Sequence, residues 1–300
     1  MTGAATLAAP PLTDPADGAG APVRRNRRAR RRPHLLAGLG AVIWLGIVGL
    51  PLYSLVSNTV RRRDDYLDSG PLALPRSWSW HNYVEVFDNG FLRYLGNTVI
   101  VTVGTVAFVL LLAVPTGYAI VRSRSRLVSV GFRVFLLGLA IPAQATIIPL
   151  YLMITRANLY DSLLAVILPT AAFSLPVAVL ILSSSMRDIS EELYEAMALD
   201  GASTRRVLWS LVLPMSKAGI GTVGIYSALS AWNGFLFPLI LTQAADRRVL
   251  TMALWDYQTE YGVNIPALMT AVLLSALPIF VAYLLMRRTL VNGLMGVGGK

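Results

Sequence analysis

The chain has 300 residues, of which 55% are apolar and only 14% charged, with a mean hydropathy of +0.60; ordinary globular proteins carry ~25% charge, so this composition excludes a soluble protein and reads as an integral membrane protein. The absence of cysteine excludes disulfides, thiolate metal sites and cysteine nucleophiles, and two histidines leave little room for a histidine-rich metal site. The net charge is +10, nearly all of it arginine. The only lysines, Lys217 and Lys300, cannot sit in a G-x-x-x-x-G-K-[ST] loop, so the chain has no ATP-phosphate loop of its own.

Residues 1–33 are rich in Ala, Pro, Gly and Arg without an apolar period, and read as a disordered tail. Seven arginines between Arg24 and Arg32 abut the first apolar stretch. They suit a topogenic anchor drawn to anionic lipid at about 1 kcal/mol each. A twin-arginine export signal is the sharper alternative, but no small-residue cleavage site follows.

A helical span needs ~20 residues to cross ~30 Å of hydrocarbon. Six uncharged stretches reach that length: Leu35–Val60, Leu95–Val121, Val134–Thr155, Ser162–Met186, Ala218–Ala245 and Tyr261–Met286. Each is expected to be a helix, because backbone polar groups in lipid must be satisfied internally. Internal prolines such as Pro51, Pro142 and Pro238 are expected to mark kinks. The reading is an all-α protein with a six-span domain over residues 34–288 and a C-terminal tail over 289–300. With both termini in the cytoplasm, inner segments hold eighteen positive residues and outer segments eight, as the positive-inside rule favours. Arg61–Arg63 are the local violation, with Asp64, Asp65 and Asp68 beside them.

None of these stretches contains Asp, Glu, Lys, Arg or His. That counts against proton relays, ion-coupled carriers and membrane-embedded enzymes, which need ionisable groups or a nucleophile–base pair at depth. Asn97, Gln144 and Asn233 are the polar residues of interest. Each either hydrogen-bonds between helices or lines a hydrophilic path for an uncharged polar solute.

Between the fourth and fifth stretches lies Arg187–Lys217, with Asp188, Glu191, Glu192, Glu195 and Asp200 clustered at its start. Ser190 is an N-cap residue type, and Glu191 and Glu192 fall in a first helical turn where the macrodipole favours anions. Leu193 and Met197, with Tyr194 and Ala198 one step round, form a short apolar face with Glu191 and Glu195 opposite. Gly201 stops the helix, and Ser203 caps a second one running through Val207, Leu208 and Leu211 to Pro214. Helix, glycine turn and helix make a rigid knob suited to receiving force from a soluble partner. The alternative is a loop lying on lipid headgroups, which its acidity opposes.

Glu195-Ala196, then Gly201, Leu211, Leu213 and Pro214, resemble the EAA loop of permease subunits in binding-protein-dependent ABC importers. Further stretches are similar to the carbohydrate-uptake branch: Phe91 to Thr98, Tyr118-Ala119 with Arg122, Ile147 to Tyr151, Glu191 to Ala196, Asp200 to Ser203, and Trp232 to Leu239. The chain departs from the pattern at Met197, Ser190 and Arg287. The resemblance implies a six-span permease in a bacterial plasma membrane. It also implies that Glu191, Glu192, Tyr194, Glu195, Ala196, Met197, Asp200, Gly201, Ala202 and Pro214 couple the chain to a separate ATPase dimer. That ATPase would bind ATP and Mg, and this chain would be neither an enzyme nor a cofactor holder. Glu195 would meet basic groups of the ATPase or brace Arg205 or Arg206. The remaining implied partners are a second permease subunit, an extracytoplasmic solute-binding protein and a sugar, a di- or oligosaccharide; a polyol or glycerol-phosphate compound is the alternative cargo. No nucleic-acid partner is implied. Trp78, Trp80, Tyr83, Trp255 and Tyr257 would form an interfacial aromatic belt or a binding-protein contact.

Overall fold

The computed structural model describes residues 35–259 and 262–295. The reading of residues 1–33 as a disordered tail, and the final residues 296–300, lie outside them. The chain divides into a unit ending at Ile47 and a second beginning at Val48. The described part of the first unit is the opening of helix α1 (Leu35–Thr59), whose Val42, Trp44 and Leu45 side chains are exposed, as suits lipid contact.

In the second unit, α2 (Arg63–Ser69) and α3 (His81–Asp88) precede the long α4 (Phe91–Arg122). Then come α5 (Arg126–Leu136), α6 (Ile147–Arg156), α7 (Leu163–Arg187), α8 (Glu191–Leu199) and α9 (Thr204–Val207). They are followed by α10 (Leu213–Met215), α11 (Lys217–Trp232), α12 (Leu236–Leu241), α13 (Leu250–Ala253) and α14 (Ile265–Met295). Among the described residues the sole strand pair is β1 (Gln258–Thr259) against β2 (Gly262–Val263), antiparallel.

Four helices, α1, α4, α7 and α14, are long and apolar enough to cross a membrane, and each overlies an expected stretch. The last runs to Met295, so the expected tail from 289 begins as helix. The expectation of one helix over Val134–Thr155 is wrong: α5 and α6 belong to a pair bent by 96°. Pro142 causes the break. It disfavours helical geometry at Ile141, which is extended at φ −85°, ψ 113°. The expectation of one helix over Ala218–Ala245 also fails, since α11 ends after 16 residues at Trp232. Its start is bent by 77° from the preceding helical segment. Pro149 and Pro238 stand in first turns, where a missing N–H costs no helical bond, and Pro51, Pro115, Pro169, Pro176 and Pro278 lie within helices that continue through them.

The main core lies where α4, α7 and α11 meet, around Val109, Ala113, Val179, Leu182, Met186 and Val223, all essentially inaccessible. Lipid tails are as apolar as leucine, so such helices are held by close van der Waals packing rather than by exclusion from water. Small residues make that approach possible: a β-carbon on Gly219 would stand 2.7 Å from the Ser185 side chain.

Candidate functional site

The segment after α7 forms an elbow. Asp188, Ile189 and Ser190 turn the chain, with Ile189 buried in the main core, and α8 starts at Glu191. Ser190 has the extended backbone of an N-cap, but its side chain makes no capping bond; the expected serine cap is absent, and the acids of the first turn face the macrodipole without it. The C-terminus closes as a Schellman motif. The Gly201 amide donates to the Ala198 carbonyl and the Ala202 amide to the Met197 carbonyl, both at 3.0 Å. Gly201 takes φ +68°, a region that disfavours any β-carbon. Ser203 does cap α9, accepting from the Arg206 amide at 3.4 Å. A π-turn over Leu208–Val212 then leads to Pro214, whose missing N–H leaves the normal helical pattern incomplete.

The expected residues fall into two groups. Tyr194 is buried and Met197 and Ala202 half-buried; with Val207, Leu211 and Val212 they join the α4–α7–α11 core. Glu191, Glu192, Glu195, Ala196, Asp200, Gly201 and Pro214 are exposed. The apolar face was misplaced in part. Leu193 and Ala198 point outward with Leu199, which is 89% exposed, because the inward face is set by Tyr194 and Met197, one turn apart. The exposed surface of α8 therefore mixes leucine side chains with carboxylates. Among the described residues Glu195 forms no ion pair, so its bracing on Arg205 or Arg206 is not found.

Arg122, which the resemblance includes without giving it a role, is brought to the elbow by the fold. It ends α4, and its Nη1 donates to both Glu191 carboxylate oxygens at 2.8 and 2.6 Å. The same guanidinium lies over the Tyr194 ring, 4.3 Å from the centroid, a favourable cation–π distance. The hydrogen bond from Arg122 holds the Glu191 carboxyl below its usual range. Burial pushes the Tyr194 phenol up. Nothing local signals this pairing, since 69 residues separate Arg122 from Glu191.

The three polar path candidates are not brought together. The Asn97 amide nitrogen donates to the Asp246 and Arg248 carbonyls, both at 2.8 Å; it fastens a loop to α4. Gln144 is exposed in the turn after Pro142, at the break between α5 and α6. Asn233 is exposed just past the end of α11 and donates to its own helix at Leu229. It borders a cavity of about 350 Å3 lined also by Trp232, Thr251, Leu254, Ser275 and Ile279. Neither an acid nor a base lines that cavity.

The end of the molecule where α4 begins is built differently. Arg61 is fully buried. It donates to Asp65 Oδ2 at 3.0 Å, Asn58 Oδ1 at 2.9 Å, the Gly70 carbonyl at 2.7 Å, the Asp65 carbonyl at 2.8 Å and Ser69 Oγ at 2.6 Å. The Arg61 hydrogen bond leads in lowering the Asp65 carboxyl to about 2. The positive-inside violation at Arg61 is thus an internally neutralised knot. Asp161 Oδ1 accepts from the Gln243 and Ala244 amides at 2.8 and 3.0 Å, which hold its carboxyl below the usual range. Trp78, Trp80 and Trp255 are exposed, whereas Tyr257 is buried.

Residues 109–292 match the family described as "Binding-protein-dependent transport system inner membrane component". The chain is 34% identical to a putative ABC transporter permease protein of Caldicellulosiruptor over 84% of its length and 92% of that protein's. It is 29% identical to the diacetylchitobiose uptake system permease protein NgcG of Streptomyces coelicolor over 82% of each. A solved bacterial ABC transporter "involved in the import of the acidic polysaccharide alginate" shares the fold, with a TM-score of 0.72 at 20% identity over 86% of this chain and 97% of that one. The chain belongs to the binding-protein-dependent transport system inner membrane component family, as a multi-pass permease of the bacterial plasma membrane.

Proposed function

We propose that this chain is one of two permease subunits of an ATP-driven sugar importer, and that its elbow is the seat of a separate ATPase. The observation that carries the reading is α8 itself. It is a nine-residue helix anchored by Tyr194 and Arg122 on one side and presenting Leu193, Glu195, Ala196 and Leu199 on the other. Unpaired carboxylates interleaved with exposed leucines suit a protein groove with basic walls, and suit lipid poorly. ATP and Mg would be bound and hydrolysed by that partner. Closure of two ATPase subunits would push the elbow and rock the helices between inward- and outward-facing states.

In this reading the two bent pairs each complete one crossing, giving six spans with both termini cytoplasmic. The elbow is then cytoplasmic, and the Arg61 knot with the Gln243–Arg248 loop faces an extracytoplasmic binding protein. The cargo is a di- or oligosaccharide. The cavity beside Asn233 is lined by an indole, an amide and two hydroxyls, and by no cation. Phosphate recognition calls for arginine or lysine, so a neutral sugar fits better than a glycerol-phosphate compound, although a shorter match exists to the sn-glycerol-3-phosphate permease protein UgpE of Yersinia pestis. The test is uptake of labelled disaccharides into vesicles carrying the assembled complex. Uptake with ATP and none with a proton gradient supports the reading; uptake driven by the gradient alone overturns it.

A further inference from the structure

The elbow meets the long helices through two kinds of contact. Tyr194, Met197, Val207, Leu211 and Val212 lay apolar surface on the main core. That contact is non-directional, so it holds the elbow close without fixing its angle. The covalent connections, Asp188–Ser190 on one side and the Gly201–Ser203 turn with its Schellman bonds on the other, lie outside the helices and join α8 to α7 and α9, not to α4. Arg122 supplies the missing constraint. Its guanidinium grips Glu191 through both carboxylate oxygens and covers Tyr194, one helical turn further on. Two points of attachment on one face, three residues apart, fix α8 against both rotation and sliding.

We infer that Arg122 is the transmission residue of the elbow, locking α8 to the end of α4 so that displacement of α8 is carried into the bundle instead of being absorbed at the apolar seam. The inference rests on the proposed docking of an ATPase at α8. The geometry of α4 supports it. That helix continues over 32 residues, through Pro115, with buried positions from Phe91 to Gly117, so one element joins its two ends. Near its start Asn97 holds the Asp246 and Arg248 carbonyls and Thr98 Oγ1 accepts from the Leu250 amide at 2.9 Å. A push delivered at Arg122 therefore reaches the segment after α12 through one continuous element. The clamp is also separable from folding. The Arg122 side chain is 34% and that of Glu191 55% exposed, and an ion pair this accessible contributes little to stability.

The test uses the complete complex, in which this chain has no cysteine of its own. Spin labels on cysteines placed at Ala119 of α4 and Ala198 of α8 report their separation in the nucleotide-free and vanadate-trapped states. With Arg122 in place, one narrow distance distribution should persist in both states, because the two elements move together. In Arg122→Ala the trapped state should shift and broaden, while co-purification of the ATPase is retained. Arg122→Lys, which keeps the charge but loses the planar face, should lie between them. The exchange Arg122→Glu with Glu191→Arg should recover most of the narrow distribution. Equal behaviour of wild type and Arg122→Ala, or a shift already present in wild type, overturns the clamp. A label at Ala198 whose mobility ignores the ATPase in every variant instead overturns the docking reading on which the clamp rests.

Discussion

The two ends of α4 handle charge in opposite ways. Near its start three polar groups are consumed internally: Arg61 is enclosed by its five acceptors, Asn97 fastens two carbonyls, and Asp161 binds two amides. At its end, a single ion pair, Arg122 with Glu191, ties the elbow down, and Glu192, Glu195 and Asp200 stand exposed. An unpaired buried polar group is costly, so the first end is rigid by construction. Exposed charges without internal partners cost little and are available to another molecule. One end buries an arginine among acceptors of its own chain; the other, in the proposed reading, leaves its carboxylates to a partner.

The largest effect should come from breaking the closed end. Arg61→Met orphans the buried Asn58 Oδ1 and the Gly70 carbonyl, at a cost of about 3 kcal/mol or more, and a lowered melting temperature of the purified protein would report it. Next in size is Gly201→Val at the open end. The left-handed turn penalises a β-carbon by ~1 kcal/mol or more, enough to displace α8; uptake should vanish while the amount of protein in the membrane is unchanged. Normal transport in that variant would count against the elbow. Glu195→Lys should weaken retention of the ATPase by about tenfold, the scale of one lost interfacial charge contact, and unchanged co-purification would remove Glu195 from the contact. A smaller effect belongs to pH. Asp65 has a folded-state value of about 2 against an ordinary 3.8, so its stabilisation is complete above 3.8 and lost as pH falls towards 2. Amide protection factors around Asn58–Ser69 should fall over that window and remain constant above it. Smallest is Trp255→Ala, whose exposed indole stacks on Phe235 at 6.4 Å. Only solute-stimulated ATP hydrolysis should fall, and no change would leave Trp255 to the aromatic belt.

What the sequence revealed follows from the range over which each signal acts. Hydropathy summed over a span marked α1, α4, α7 and α14, because apolar length is a local property. It could not mark the bends, since an apolar run reads the same straight or folded, although Pro142 and Gly234 stood at the breaks. The elbow was legible from Gly201 and Ser203, whose conformational roles are fixed by neighbours in sequence. Arg122, Asn97 and Asp161 were not, because each acts on a partner 69 or more residues away. Asn97 illustrates the difference: an amide in an apolar run has several uses, and its carbonyl partners decide which one it serves.

The central claim is that α8 receives work from a separate ATPase on the cytoplasmic face. The direct measurement is a cysteine at Glu195, in a chain that otherwise has none, tested in intact cells and in the purified complex. The account predicts that a membrane-impermeant reagent added outside leaves it unlabelled, and that a short cross-linker joins it to the ATP-binding subunit. Labelling from outside, or a purified active complex in which Glu195 cross-links to nothing, would contradict it.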